Sequence, residues 1–295
     1  MGSIAKGLRR SEKMRQYFDG RHVLVSGGSS GIGKAISLSV ATLGASVTVL
    51  ARDEEKLRST VSELEALRCR SSQRFSMHLA DVRVPEHVSA AVAAAEQAAP
   101  IHYLVNSAGV AVPGYVEDQS LEVLHDTIGT NLLGAISVTK AVLPGLVRRR
   151  HGHIVNISSV AGFIGVFGYT AYCASKFGLN GFSESLRAEM KRFDVRVSLC
   201  FPPETDTPMV AKERLTQPLE SRAINSSAGI MKADDVAWST LRGTARGQFC
   251  IFPGFESRLS YWLKSYIPSG LNFYLDRLAK KAQQRHGELE LRPRS

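Results

Sequence analysis

Cysteine is scarce in this chain of 295 residues: Cys69, Cys173, Cys200 and Cys250 stand apart, without a CxxC pair or a Cys/His spacing that would build a zinc site. That excludes a disulfide scaffold, predicts no metal centre, and leaves the thiols as small packing groups in a reduced compartment. Long apolar runs are missing as well. No uninterrupted one is long enough to span a bilayer, and the amino terminus has no apolar core between its charges, so neither a membrane span nor a signal peptide is predicted. Met1-Gly2-Ser3-Ile4-Ala5-Lys6 places Lys6 where myristoylation needs Ser or Thr. Together these absences predict a cytoplasmic protein, soluble or peripheral on the cytoplasmic membrane face.

Acidic residues are outnumbered, giving a formal charge of +10. Such an excess suits nucleic acid, an anionic membrane, or an anionic cofactor. No nucleic-acid motif appears, and much of the excess lies near the ends, in Lys6, Arg9, Arg10, Lys13 and Arg15 and again from Arg277 onward. No nucleic-acid partner is predicted. From Gly287 the chain is charged and expected to be disordered.

What is present is an alternation of apolar runs. His22 to Val25 reads as a strand, Lys34 to Leu43 as a helix, and Ser46 to Leu50 as a strand. Helix Glu55 to Leu67, strand Phe75 to Leu79, helix Val88 to Ala98 and strand Tyr103 to Val105 continue the series. Then come a long helical region Leu121 to Arg150, strand His153 to Ile157, helix Thr170 to Arg192, strand Val195 to Cys200, and a last short strand at Phe249 to Phe252. The order predicts an α/β, doubly wound parallel sheet of Rossmann type. No linker divides it, so a single catalytic domain is expected over 20–254, after a basic segment 1–19 and before a carboxy-terminal extension 255–295. Within it, 203–233 reads as a mobile loop with short helices over a pocket.

The first strand enters Ser26-Gly27-Gly28-Ser29-Ser30-Gly31-Ile32-Gly33. Between a strand and a helix, Gly27 permits the turn, Gly31 and Gly33 clear side chains from an approaching pyrophosphate, and the helix start offers unpaired N–H groups. Ser29 and Ser30 add hydroxyl donors. At the end of the second strand Ala51 stands where an NAD-preferring fold places an acid, and Arg52 follows. Its planar fork suits a 2′-phosphate, and Lys56 adds charge one helical turn on, so NADPH is the expected cofactor. Asp53 is the competing group if the register shifts by two.

Tyr172 and Lys176 share one helix face, which predicts an ammonium near the phenol that lowers its pKa toward working pH. Ser159, just past a strand, can donate to a substrate carbonyl, and Asn131 in the long helix can hold a water behind Lys176.

Gly27 to Gly33, Asn106-Ser107-Ala108-Gly109, Asn131, Ser158-Ser159 and Tyr172 to Lys176 resemble, in order, the motifs of the classical short-chain dehydrogenase/reductase family. The resemblance implies that Tyr172 is the acid, that Lys176 tunes it and holds the nicotinamide ribose, that Ser159 rather than Ser158 orients the carbonyl, and that Asn131 completes a proton relay. It also implies cofactor contacts from Ile32, Asn106, Asp81 and Val82 near adenine, and Thr207 near the nicotinamide amide. Ser107 departs from the usual alanine and Pro203 from the usual glycine. A homodimer or homotetramer is implied through the two long helices.

Within that family, Pro202-Pro203-Glu204-Thr205-Asp206-Thr207-Pro208, Gln217 to Arg222, Phe167 to Tyr172 and Ala51 to Leu57 resemble the branch that reduces the 3-keto group of a long-chain amino ketone, 3-ketodihydrosphingosine, to dihydrosphingosine. Alternatives are another hydrophobic ketone, such as a 3-oxoacyl thioester or steroid, and an NADP-binding sensor without turnover. In the extension, Phe255, Leu259, Tyr261, Trp262, Leu263, Tyr266, Ile267, Phe273, Tyr274, Leu275 and Leu278 interleave with Arg258, Lys264, Arg277, Lys280 and Lys281. That mixture suits a membrane interface, or packing on the domain or a partner subunit.

Overall fold

The computed structural model describes residues 12–225 and 229–290. A short helix, α1, covers 12–18, and strand β1 (His22–Ser26) runs through the glycine turn into α2 (Gly31–Thr42). There follow β2 (Ser46–Ala51), α3 (Glu54–Ala66), β3 (Phe75–Leu79), α4 (Pro85–Ala98) and β4 (Tyr103–Asn106). Helix α5 (Leu121–Ile128) passes through one π turn (Gly129–Leu133) into α6 (Gly134–Arg149), before β5 (Gly152–Ile157), α7 (Thr170–Met190) and β6 (Val195–Cys200). The remainder is β7 (Thr205–Asp206), α8 (Pro208–Thr216), α9 (Leu219–Asn225), β8 (Met231–Lys232), α10 (Ala233–Ala245), β9 (Cys250–Ile251), α11 (Gly254–Tyr266) and α12 (Pro268–Glu290).

Seven parallel strands lie in the order β3-β2-β1-β4-β5-β6-β9, and β7 pairs with β8 in a separate two-residue ladder. This is the Rossmann-type α/β sheet. Val23, Val25, Val47 and Val49 pack on one face against Ile36 and Val40 of α2, Leu57 and Leu64 of α3, and Leu241 of α10. Leu24, Leu104 and Ile154 pack on the other against Val92 of α4, Val138, Val142 and Leu146 of α6, and Leu186 of α7. A strand buried on both faces has no polar side, which is why these runs read as continuous rather than alternating. The order reverses between β1 and β4, so a crevice opens at their carboxyl ends, the place where sheets of this topology bind ligands.

One sequence expectation needs correction, and two segments need comment. The basic segment before residue 20 packs on the domain through its apolar residues: Met14 and Phe18 of α1 are buried in the core, and Tyr17 stacks on Tyr103 with ring centroids 5.0 Å apart. Helix α12 continues through Glu290, past Gly287, where disorder was expected; 291–295 lie outside the described residues. The rod Leu121–Arg149 is, among the described residues, long and apolar enough to cross a bilayer, with mean hydropathy 1.3. Half of that window is buried, however, and its Thr139 hydroxyl accepts a hydrogen bond from the Asn106 amide at 2.9 Å, as a core helix requires.

Candidate active site

The glycine turn is built by close approach. Gly27 has φ +71°, and a Cβ there would lie 2.6 Å from the Ala108 nitrogen; one on Gly33 would lie 2.3 Å from the Gly27 carbonyl. Side chains are therefore excluded where α2 begins. Ser30 precedes that helix without capping it, and no acid occupies the first turn. Uncapped N–H groups at the positive end of a helix are what a pyrophosphate needs. Beside them lies a cavity of about 490 Å³ whose walls include Ser29, Ala51, Arg52, Lys56, Val82 and Thr130. The residues present thus fit a dinucleotide.

At its adenosine end Arg52 is about half exposed and only 3.9 Å from Asp81. Lys56 pairs with Asp53, and the Asp53 carboxylate also accepts the Lys56 N–H at 3.1 Å as the cap of α3. Those bonds hold the Asp53 carboxyl below its ordinary pKa and tie it to the start of α3, although it too stands on the cavity wall. Asp81 is committed too: its carboxylate takes the Arg83 guanidinium at 2.7 and 3.0 Å and does not line the cavity, whereas Val82 does. Asn106 is likewise turned into the sheet, donating to Asn156 Oδ1 at 2.9 Å as well as to Thr139. The cavity wall there is Ser107, Ala108 and Gly109, which the Asn106 side chain braces from behind.

A second cavity, about 600 Å³, adjoins the first at Gly27, Ser30, Ala108 and Gly109. Tyr172, Lys176, Ser159 and Ile32 line it, and Thr207, the cap of α8, faces Gly31, where a Cβ would come within 3.1 Å of the threonine methyl. Lys176 is 5 % exposed; its Nζ donates to the Ile157 carbonyl at 2.9 Å and lies 5.6 Å from the centre of the Tyr172 ring. Ser159 accepts the Ala161 N–H at 3.1 Å. Ser158 is buried and donates to Asn180 Oδ1 at 2.7 Å, so its hydroxyl is occupied in fixing β5 to α7.

Asn131 sits in the π turn, where the widened helix aims its amide at the loop after β4. Its Oδ1 accepts Val110 N–H at 2.8 Å, and its Nδ2 donates to the Val110 carbonyl at 2.9 Å and to Ser175 Oγ at 3.0 Å. Both donors are spent on protein, so Asn131 first of all clamps the wall beside Gly109. A Cβ on Gly109 would fall 3.2 Å from Asn131 Oδ1 and 3.8 Å from Lys176 Nζ, so amide and ammonium both stand close to that glycine.

The electrostatics differ from the sequence expectation. Burial, then the charge of Glu213, pushes the Tyr172 phenol above its ordinary pKa, and the Ser159 hydrogen bond opposes them only in part. Burial also lowers Lys176 to about 8. Desolvation of both groups outweighs their mutual attraction in the free protein.

Sequence reasoning missed Glu213 and Tyr169. Glu213 lies on the cavity wall, and its Oε2 accepts the Tyr169 hydroxyl at 2.8 Å. Nor was the roof foreseen: Leu259 and Leu263 of α11 and Leu271 and Leu275 of α12 close the cavity opposite the glycine turn. Tyr261 seats that roof, its ring 5.1 Å from Phe163 and 4.9 Å from Phe252.

Residues 21–218 match the family model for short chain dehydrogenases, and the chain belongs to that family. It is an oxidoreductase acting on CH–OH and C=O groups with a nicotinamide cofactor. It is 38 % identical over 233 residues to the 3-dehydrosphinganine reductase of Danio rerio, covering 78 % of this chain and 70 % of the relative. The 3-ketodihydrosphingosine reductase of Bos taurus is also 38 % identical, over 232 residues and the same shares. Dehydrogenase/reductase SDR family member 7B of Xenopus laevis is 28 % identical over 284 residues, 94 % of this chain and 88 % of the relative.

Proposed function

We propose that the chain reduces the 3-keto group of 3-ketodihydrosphingosine to dihydrosphingosine, using NADPH. One observation carries the reading: Tyr172, Ser159 and Lys176 line the same cavity as the apolar side chains of Ile164, Val166, Leu259, Leu263, Leu271 and Leu275, as a polar ketone head on a long alkyl tail requires. The names of the relatives support the same substrate. NADPH is supported by Arg52, which stands on the cavity wall about half exposed, while Asp53 and Asp81 are held mainly by Lys56 and Arg83.

In this reading the bound cofactor supplies a hydride to the carbonyl carbon. Tyr172 donates its proton to the carbonyl oxygen, and Ser159 donates a hydrogen bond to the same oxygen as negative charge builds there. A phenol held above its ordinary pKa keeps its proton at neutral pH, which suits an acid whose acceptor is a nascent, strongly basic alkoxide. Lys176, charged below about pH 8, holds the ribose and favours loss of the Tyr172 proton as it leaves. Asn131 keeps the Gly109 wall in register and offers the remaining lone pair of Oδ1 to a relay water. Gly27, Ser29, Ser30, Gly31, Ile32 and Gly33 hold the pyrophosphate side, Val82 the adenine, and Thr207 the nicotinamide amide.

We further infer that α11 and α12 rest on an anionic bilayer. One side of the pair closes the cavity, while Phe255, Trp262, Tyr266, Ile267 and Phe273 are exposed beside Arg258, Lys264 and Arg277. A lipid ketone would then enter beneath its own roof.

The wide coverage of the Xenopus relative favours a second reading, reduction of a different hydrophobic ketone. The test is a paired assay of NADPH and NADH oxidation with 3-ketodihydrosphingosine and with an acetoacetyl thioester. The amino ketone with NADPH is expected to be turned over fastest. Faster reduction of the thioester would transfer the assignment, and equal rates with NADH would remove the role given to Arg52.

A further inference from the structure

The amino ketone differs from other hydrophobic ketones in one charged group, and the cavity wall carries a matching charge. Glu213 projects from α8 into the space that Tyr172 and Ser159 share. Its carboxylate is half buried, and its one hydrogen bond within the described residues is from the Tyr169 hydroxyl. No Lys, Arg or His among the described residues lies within ion-pair distance of it. Glu204 on the same wall makes the contrast, since Arg214 pairs with it at 3.1 Å. The same cavity is lined by apolar Ile164, Val166 and Leu259, and the Glu204 charge adds to burial in raising the Glu213 pKa. A carboxylate taken from water into such surroundings is costly unless a cation meets it.

We propose that Glu213 is the seat of the substrate's ammonium group, and that it selects 2-amino ketones over ketones without an amine. The inference rests on the function proposed above. Its geometry is constrained by the substrate: the amine sits on the carbon next to the carbonyl, so a carbonyl oxygen at Tyr172 and Ser159 brings the ammonium into the same corner. Tyr169, which holds Glu213, has its ring 6.0 Å from that of Tyr172. Lys176 stands on the β5 side, bonded to Ile157, so the like-charged ammonium turns toward Glu213. After burial, the Glu213 charge is the next cause of the raised Tyr172 pKa. An ammonium on Glu213 offsets that cause, so the correct substrate makes its own proton donor more acidic. Glu213 is itself raised by burial, with the Tyr169 hydrogen bond opposing, and a bound cation draws it back toward the ionised form.

The experiment compares 3-ketodihydrosphingosine with its N-acetylated form and with the same long-chain 3-ketone lacking the amine, each with NADPH. Wild-type kcat/KM should favour the amino ketone over both neutral analogues by roughly 10- to 100-fold, the range of a charge-assisted hydrogen bond. Glu213→Gln should remove most of that preference without lowering the value for the amine-free ketone, because it also removes a charge that raises the Tyr172 pKa, and should leave the affinity for NADPH unchanged. Glu213→Asp should restore part of it. A merely structural role would lower all three ketones together, and that result, or a wild-type enzyme indifferent to the amine, would overturn the proposal while the reductase assignment stands. Failure of the wild type to reduce any of the three would instead remove the proposed function. If Glu213→Gln does not fold, the wild-type comparison alone decides.

Discussion

Lys176 shows how one buried residue links chemistry to pH. Its ammonium is almost fully enclosed, and the lost solvation lowers its pKa to about 8. The Tyr172 phenol moves the other way and remains protonated across the range in which Lys176 titrates. The kcat/KM for NADPH, which reports the free enzyme, should therefore fall as pH rises through about 8, because the lysine loses the charge with which it holds the cofactor. The measurement uses a ketone without an amine, so that the substrate does not titrate, and a profile flat to about pH 10 would contradict the assignment. Tyr172 and Lys176 were legible because a four-residue spacing on a helix brings two side chains to one face. The direction of their pKa shifts was not, since spacing reports proximity and says nothing of burial. Glu213 was invisible for a related reason: a lone glutamate in an irregular segment looks like solvated charge until the fold shows which wall it faces.

At the scale of elements, strands β1, β2, β4, β5 and β6 were readable because a parallel sheet covered on both faces demands largely apolar, often β-branched runs, whereas β3, at the sheet edge, alternates Phe75, Met77 and Leu79 with Ser76 and His78. The π turn at Asn131 was not, since one inserted residue leaves the helical pattern almost unchanged. The two-residue pairing of β7 with β8 is too short to leave a pattern at all. Helices α11 and α12 were legible as mixed aromatic and basic segments, with both membrane contact and packing open. They pack, through Tyr261 and the cavity wall, and they also expose aromatics: Phe255 is 75 % and Tyr266 72 % exposed. A bilayer surface is the partner proposed for the second face. The protein should sediment with anionic vesicles at low ionic strength, and a paired Trp262→Ser and Tyr266→Ser variant should bind them several-fold more weakly with its reductase activity on a dispersed substrate intact. Sedimentation unchanged in that variant would remove the membrane contact.

At the scale of the whole molecule, the two cavities meet where the strand order reverses. The first, beside the glycine turn, carries Arg52 and Lys56 and suits a nucleotide; the second holds Tyr172 and Glu213 among largely apolar walls that the last two helices help to close. In the proposed reaction the cofactor in the first cavity and Tyr172 in the second would meet at one carbonyl. The most direct test of that arrangement is Tyr172→Phe, measured for both NADPH binding and turnover of 3-ketodihydrosphingosine. The account predicts turnover lowered by about 10²- to 10⁴-fold, the usual worth of a positioned acid, with NADPH affinity within about threefold of wild type. Turnover close to wild type in that variant would contradict it.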